Sequence, residues 1–330
     1  MVKVIGDLLT DFGFDVFWPN DVFYMSELKT SFVKPIQVEI DIIARINDIG
    51  FIIEVTTDKN DNDKKIERKF IPKLNAIKET PLSNEDLVKL FTGVSSRSRS
   101  KFKDIKEWRG IYINGTSTEL IDKKLTPDKF SKSIGLSIIN IDDLNYINAM
   151  KKAIGKFAKY EFYSFLNLDL DEIEEIIDKD KYFEFIRLKR RLITKENIDA
   201  DLFVFSASPD VLLRTCKVCR FQGLPLDDAD SYYQRMLSVP KLKNIRKFIK
   251  KSNKLSFPTP ITVILPSNVK TKVRPDGKEK LEIIQKYGVF EVIDGQHRLF
   301  AYASNEISDL KRKKVKLLVN GVKFNTESVE

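Results

Sequence analysis

The spacing of apolar and polar positions predicts a chain that alternates between helix and strand from its first residues. Val4, Ile5, Leu8, Leu9 and Phe12 recur at helical intervals over residues 2–12. Gly13 ends that helix, and Phe14–Trp18 reads as a strand. Residues 19–35 carry no regular pattern. Residues 37–46 (QVEIDIIARI) and 51–56 (FIIEVT), joined by the turn Asn47-Asp48-Ile49-Gly50, predict a β-hairpin. Residues 64–79 form an amphipathic helix with Ile66, Phe70, Leu74 and Ile77 inward. Ser83-Asn84-Glu85-Asp86 opens another helix with a capping-box-like pattern, closed by Gly93. Strands follow at 110–114 and 136–141. Asp142 then caps a long helix through Leu166, with Leu144, Ile147, Ile154, Phe157 and Ala158 on its apolar side.

Residues 167–200 alternate charges of both signs and read as a helical connector. A strand at 202–205 and a helix opened by Ser208-Pro209 begin a second domain. Residues 238–251 are helical, with Leu242, Ile245, Phe248 and Ile249 inward. Residues 261–265 form a buried type of strand, and 266–287 are a lysine-rich excursion. Val289–Ile293 reads as a buried strand, Asp294-Gly295 as a turn, and Gln296–Ser304 as a helix. There is no internal repeat.

At 330 residues the chain is long enough for two domains, and 42% hydrophobic with 32% charged residues is ordinary globular composition. Without an apolar run of membrane length or a signal-peptide layout, a cytoplasmic location with no membrane partner is expected. Two cysteines exclude a disulfide framework. Cys216 and Cys219 have CxxC spacing, but zinc would need further ligands, so the pair reads as structural. The net charge of +9 points to a polyanionic partner, nucleic acid first among them. The face of helix 238–251 that carries Lys241, Lys243, Arg246, Lys247, Lys250 and Lys251 has no acid and is the DNA-backbone candidate. The basic stretch 95–103 is a flexible second one. For both, a solvated surface is the alternative.

Period two puts Glu39 and Asp41 on one face of the first hairpin strand, and Glu54 and Thr56 on one face of the second. Acids inside apolar strands are costly unless they bind something. Carboxylates converging from adjacent strands suit a hard divalent cation such as Mg²⁺. Asp41 and Glu54 are the metal candidates, with Glu39 and Thr56 completing the catalytic set; the alternative is acids that simply face solvent. This layout, with Asp7 on the preceding helix, resembles the PD-(D/E)xK restriction-endonuclease-like fold in its Mrr-like form. The resemblance implies metal-dependent hydrolysis of DNA phosphodiesters. Thr56 stands where that pattern has lysine, and Lys59, Lys64 or Lys65 are the nearby substitutes.

Asp294, Gly295, Gln296, His297 and Arg298 crowd polar chemistry directly after a strand, and His297 is the chain's only histidine. A strand turning into a helix leaves backbone N–H groups that favour an anion, and Arg298 adds a two-pronged donor. The motif DGQHR followed by LFAY resembles the signature of DGQHR-domain proteins, which include DndB-like proteins of DNA sulfur modification and relatives in phage-defence clusters. The same box resembles the phosphate-binding motif of the ParB/sulfiredoxin superfamily. The likeness extends upstream through Phe203–Pro209, Tyr233–Leu237 with Arg235, and Phe257-Pro258. It implies a nucleotide (NTP) or DNA-phosphate site at residues 294–298 with Arg235. The family continues into a Phe-x-x-Ile-Asn-like segment where this sequence ends at Glu330, which leaves two alternatives, a truncated form of the chain or a domain without its C-terminal part.

Together these readings give an α/β (α+β) chain. A restriction-endonuclease-like mixed sheet with flanking helices spans 1–166, a charged helical connector 167–200, and a ParB/sulfiredoxin-like DGQHR domain 201–330. The expected function is that of a DNA-binding protein of a DNA-modification or phage-defence system: a Mg²⁺-dependent endonuclease regulated at the DGQHR box. Two alternatives stand beside it, a non-catalytic DndB-like regulator and an NTPase without nuclease activity. A homo-oligomer or partner proteins of a defence system complete the expectation.

Overall fold

A computed structural model describes residues 1–17, 23–24, 37–38, 40–58, 62–79, 83–89, 100–115, 135–168, 170–173, 182–189, 200–218, 237–251, 257, 259–267, 269–273, 279–282 and 286–324. The fold is mixed α+β, with mixed sheets flanked by helices. The chain divides into two compact units: 1–148 with 165–168, and 149–164 with 169–330. The division falls inside a helix, between Asn148 and Ala149, earlier than the boundary expected after Leu166. Among the described residues no helix is long and apolar enough to cross a membrane.

In the first unit, α1 (Val2–Asp11) buries Ile5, Leu8 and Leu9, and Gly13 turns the chain at φ 93° into β1 (Asp15–Phe17). β2 (Phe23–Tyr24) and β3 (Gln37–Val38) form a separate two-stranded ribbon. β4 (Ile42–Ile46) and β5 (Ile49–Thr56) form the expected hairpin, turned by Asn47 at φ 49°. The first hairpin strand therefore starts at Ile42 rather than at residue 37. The interruption at Asp41 has a physical cause, because its carboxylate accepts the Val55 N–H at 2.7 Å in place of a backbone partner. Next come α2 (Asn62–Lys65), a π-turn at Ile66–Phe70, α3 (Ile71–Lys78) and α4 (Asn84–Lys89), then β6 (Glu107–Asn114) and β7 (Leu136–Ile139).

The strands lie in the order β1-β4-β5-β6-β7: an antiparallel meander followed by two parallel additions. Ile43, Ile52, Tyr112 and Leu136 from the sheet pack with Ile66, Phe70, Leu74 and Ile77 from the helices. Gly110 permits this contact, since a Cβ there would lie 2.9 Å from the Phe70 ring and 3.0 Å from Leu74. The stretch expected to be a flexible basic loop is partly core. Ser100–Phe102 forms a 3₁₀ turn, Phe102 is fully buried, and Lys101 pairs with Asp15 at 2.6 Å. Residues 95–99 lie outside the described residues, as does Gly93.

The predicted helix 142–166 is two helices, α5 (Ile141–Ile154) and α6 (Ala158–Phe165). Gly155, at φ 59°, opens a 3₁₀ turn between them and breaks the helical path. The charged connector is not simply helical. After α7 (Leu170–Ile173) it holds β8 (Tyr182–Lys189), which pairs antiparallel with β9 (Ala200–Ala207). α8 (Pro209–Thr215) follows, capped by Ser208, whose hydroxyl accepts the Val211 N–H. The rest of the second unit is β10 (Cys216–Val218), α9 (Val239–Lys251), β11 (Ile261–Ile264), β12 (Lys270–Val273), β13 (Glu279–Glu282), β14 (Phe290–Asp294), α10 (Gln296–Ala301), α11 (Asp309–Lys314) and β15 (Leu317–Phe324).

These strands build an eight-stranded sheet in the order β10-β14-β11-β15-β9-β8-β13-β12. The lysine-rich excursion thus contains an antiparallel pair, β12 with β13, at one sheet edge. Lysine on an edge strand blunts its open hydrogen-bonding side.

Candidate functional site

Asp41 and Glu54 stand on facing sides of the hairpin, and Glu54 is bonded to a helix. Ile42 pairs with Ile53, so Asp41 stands one step beyond that pair, beside Glu54. Its carboxylate is fixed by the Val55 N–H, the residue directly after Glu54. Glu54 Oε2 accepts from Lys73 Nζ at 2.9 Å, the side chains being 22% and 11% exposed. Lys73 comes from α3, on the turn between the buried Phe70 and Leu74. The Glu54 carboxylate offsets the desolvation of an amine in that position.

Nothing in the sequence singles out Lys73, because a lysine in an amphipathic helix reads as solvated. The only available hint was its position one residue before Leu74, at the border of the apolar stripe. Of the expected substitutes for the amine missing at Thr56, Lys65 pairs instead with Asp58 at 2.5 Å, Lys64 is exposed, and Lys59 lies outside the described residues. The Thr56 hydroxyl accepts the Asp58 N–H at 3.2 Å, which shapes the turn leaving β5. Glu39 also lies outside the described residues. Among those described, no three Asp, Glu, His or Cys side chains converge. Asp41, just before β4, and Glu54, on β5, are hard oxygen donors of the kind that suits Mg²⁺.

In the second unit the DGQHR box sits between β14 and α10. The strand buries Phe290 and Val292 completely, but Ile293 is 48% exposed, so burial does not run on to the turn. Gly295 takes φ 86°, and a Cβ there would lie 3.2 Å from the Ile261 Cα atom. Arg298 does not project freely. Its Nη2 donates to Asp294 Oδ2 at 2.9 Å, and its Nη1 donates to the Thr259 carbonyl at 2.6 Å and to the Thr259 hydroxyl. The guanidinium thereby ties the box to the residue that leads into β11.

His297 Nε2 accepts the Ser238 N–H at 2.9 Å. An accepting Nε2 requires neutral imidazole, and burial together with Lys241 lowers the His297 pKa. Ser238 directly precedes α9, so His297 fastens the start of that helix. The helix expected to reach Ser304 ends at Ala301, because the buried Arg312 guanidinium takes the carbonyls of Tyr302, Ser304 and Ile307. Arg235 lies outside the described residues.

α9 carries the expected basic face, with one correction. Arg246 turns inward: Nη2 donates to the Ala153 carbonyl, Nε to the Ala301 carbonyl at 3.4 Å, and burial lowers its pKa. These bonds make it an anchor of the helix. Lys311 Nζ donates to the Ile249 carbonyl at 2.7 Å and ties down the other end. Lys241, Lys243, Lys247 and Lys250 are exposed, Lys250 beside Glu306 at 2.6 Å. Phe248, expected inward, is 53% exposed. Cys216 is fully buried, and burial pushes its thiol far up; Cys219 lies outside the described residues. Comparison with protein-family models, curated proteins and solved structures finds no match for this chain.

Proposed function

We propose that the chain is a DNA-binding protein of a DNA-modification or phage-defence system, whose first unit is a Mg²⁺-dependent DNA endonuclease. The observation that carries this reading is the group Asp41, Glu54 and Lys73, two carboxylates and an amine gathered at one end of a meander. Asp41 and Glu54 would hold the ion. Bound Mg²⁺ supplies a Lewis acid that lowers the pKa of coordinated water and steadies phosphate charge. Asp41, fixed by the Val55 N–H, presents its carboxylate without rotamer search. Glu54 orients the Lys73 ammonium, which offers positive charge to a phosphodiester in the role that lysine at position 56 would fill.

Nucleotide or DNA would regulate cleavage at the DGQHR box, a part of the proposal supported by the position of Arg298 there. A nucleotide or DNA phosphate arriving there competes with the exposed Asp294, 74% accessible, for Arg298. Plasmid incubation with Mg²⁺ or Mn²⁺, with and without each NTP, tests both parts. The reading expects metal-dependent cleavage that responds to nucleotide.

The second reading, a non-catalytic DndB-like regulator, is favoured by one observation: Thr56 offers a hydroxyl engaged with its own turn instead of an amine. It expects DNA binding with no cleavage under any of these conditions.

A further inference from the structure

Phe248 lies in the last turn of α9, a helix that is otherwise sorted by chemistry. Leu242 and Ile249 are completely buried, Ile245 is half-buried, and Arg246 is bonded inward. At 100° per residue, Phe248 shares its face with Lys241, Asn244 and Lys251, and Lys247 flanks it; all four are exposed. A ring 53% accessible among amines leaves about half of its apolar surface in water. Behind it stands Phe257, with ring centroids 6.0 Å apart and planes at 36°, backed edge-on by the buried Tyr302. The ring is therefore braced from one side and open on the other.

We infer that this face binds single-stranded nucleic acid, an unpaired base stacking on Phe248 while Lys241, Lys247 and Lys251 hold the phosphates to either side. The inference rests on the DNA-binding reading above and narrows it to unpaired strands. Charge complementarity selects a polyanion, since no acid stands on this helix. The open ring selects an unpaired base, because the faces of duplex bases are covered by their neighbours. A membrane surface fits less well. The helix has spent Leu242 and Ile249 on its own core, which leaves one exposed aromatic and no broad apolar face to sink among lipids. The three fastenings from His297, Arg246 and Lys311 hold the platform in place before any ligand arrives.

The test is a fluorescence-anisotropy titration of the full chain with three labelled probes: an oligothymidylate of about 12 nucleotides, an abasic strand of equal length and a duplex of equal length. Phe248→Ala should weaken oligothymidylate binding about tenfold, and leave abasic-strand and duplex binding and the salt slope unchanged. Thermal melts confirm that the variant is folded. Lys247→Glu should weaken all three probes. Equal loss on the abasic strand, or no loss on oligothymidylate, overturns base stacking. Duplex binding by the parent chain without oligothymidylate binding also overturns the inference, while the DNA-binding reading stands. Binding to none of the probes overturns both. Co-sedimentation with vesicles of phosphatidylcholine and phosphatidylserine that is abolished by Phe248→Ala, together with unchanged oligothymidylate binding, assigns the ring to membranes and overturns it as well.

Discussion

Arg298 and Lys73 are both cations committed to partners inside their own units, and each can be tested through what it holds. Arg298 donates to Asp294 and twice to Thr259. Arg298→Ala should lower stability by about 1.5–3 kcal/mol in urea denaturation, the scale of a hydrogen bond to a charged group. An unchanged midpoint and slope would mean that the guanidinium is not bound internally in solution. Lys73→Ala leaves Glu54 facing a desolvated gap. On the endonuclease reading it should reduce cleavage about a hundredfold, as loss of a preorganised charge does, while Lys73→Arg retains part of the rate. Cleavage unaffected by Lys73→Ala would leave the amine a purely structural role. Asp41, Glu54 and the DGQHR box could all be picked out in the sequence because acids in apolar strands and polar clusters after strands are expensive. Lys73 and Arg246 could not. A long basic side chain on an amphipathic helix reads as solvated until the fold shows a carbonyl or carboxylate beneath it.

At the level of elements, the hairpin, α1, α9 and the strand entering the box follow from simple periodicity. β8 did not, because charges of both signs flank its apolar residues and mask the strand signal in Tyr182–Lys189. The break at Gly155 was equally hidden, since the apolar stripe continues on both sides of it. The attachment of α9 to α10 through His297 makes a pH prediction. The folded state holds His297 below its ordinary pKa, so its contribution to stability is complete above the unfolded pKa of about 6.5. That contribution is lost as pH falls below that value, because the unfolded chain takes the proton more readily. With one histidine in the chain, the loss has a single imidazole source. Urea midpoints from pH 7.5 to 5 should therefore fall more steeply for the parent chain than for His297→Gln; parallel profiles would contradict the fastening. On the outer face of α9, replacing Lys243, Lys247 and Lys250 with Glu should weaken DNA binding for all sequences alike. It should also reduce the salt slope by about one per lysine, as read by gel shift across salt concentrations. Retained affinity would return that face to solvent.

The whole chain holds two compact units with separate chemistry: carboxylates and an amine in the first, a clamped basic helix in the second. The charge of +9 fits the proposed polyanionic partner and does not specify a reaction. The α+β class could be read in the sequence from the sequence of periods. The two-unit division was legible only approximately, because a helix that crosses from one unit to the other, as α5 does, leaves no change in pattern at the crossing. The central claim is that the first unit cleaves DNA through Asp41. The direct measurement is supercoiled-plasmid cleavage with Mg²⁺ or Mn²⁺ by the parent chain and by Asp41→Asn, with thermal melts to establish that both are folded. The account predicts metal-dependent nicking or linearisation by the parent and its loss by at least about a hundredfold in a folded Asp41→Asn. Cleavage that survives in that variant, or a parent chain that binds the plasmid and never cuts it under any metal or nucleotide condition, would contradict it.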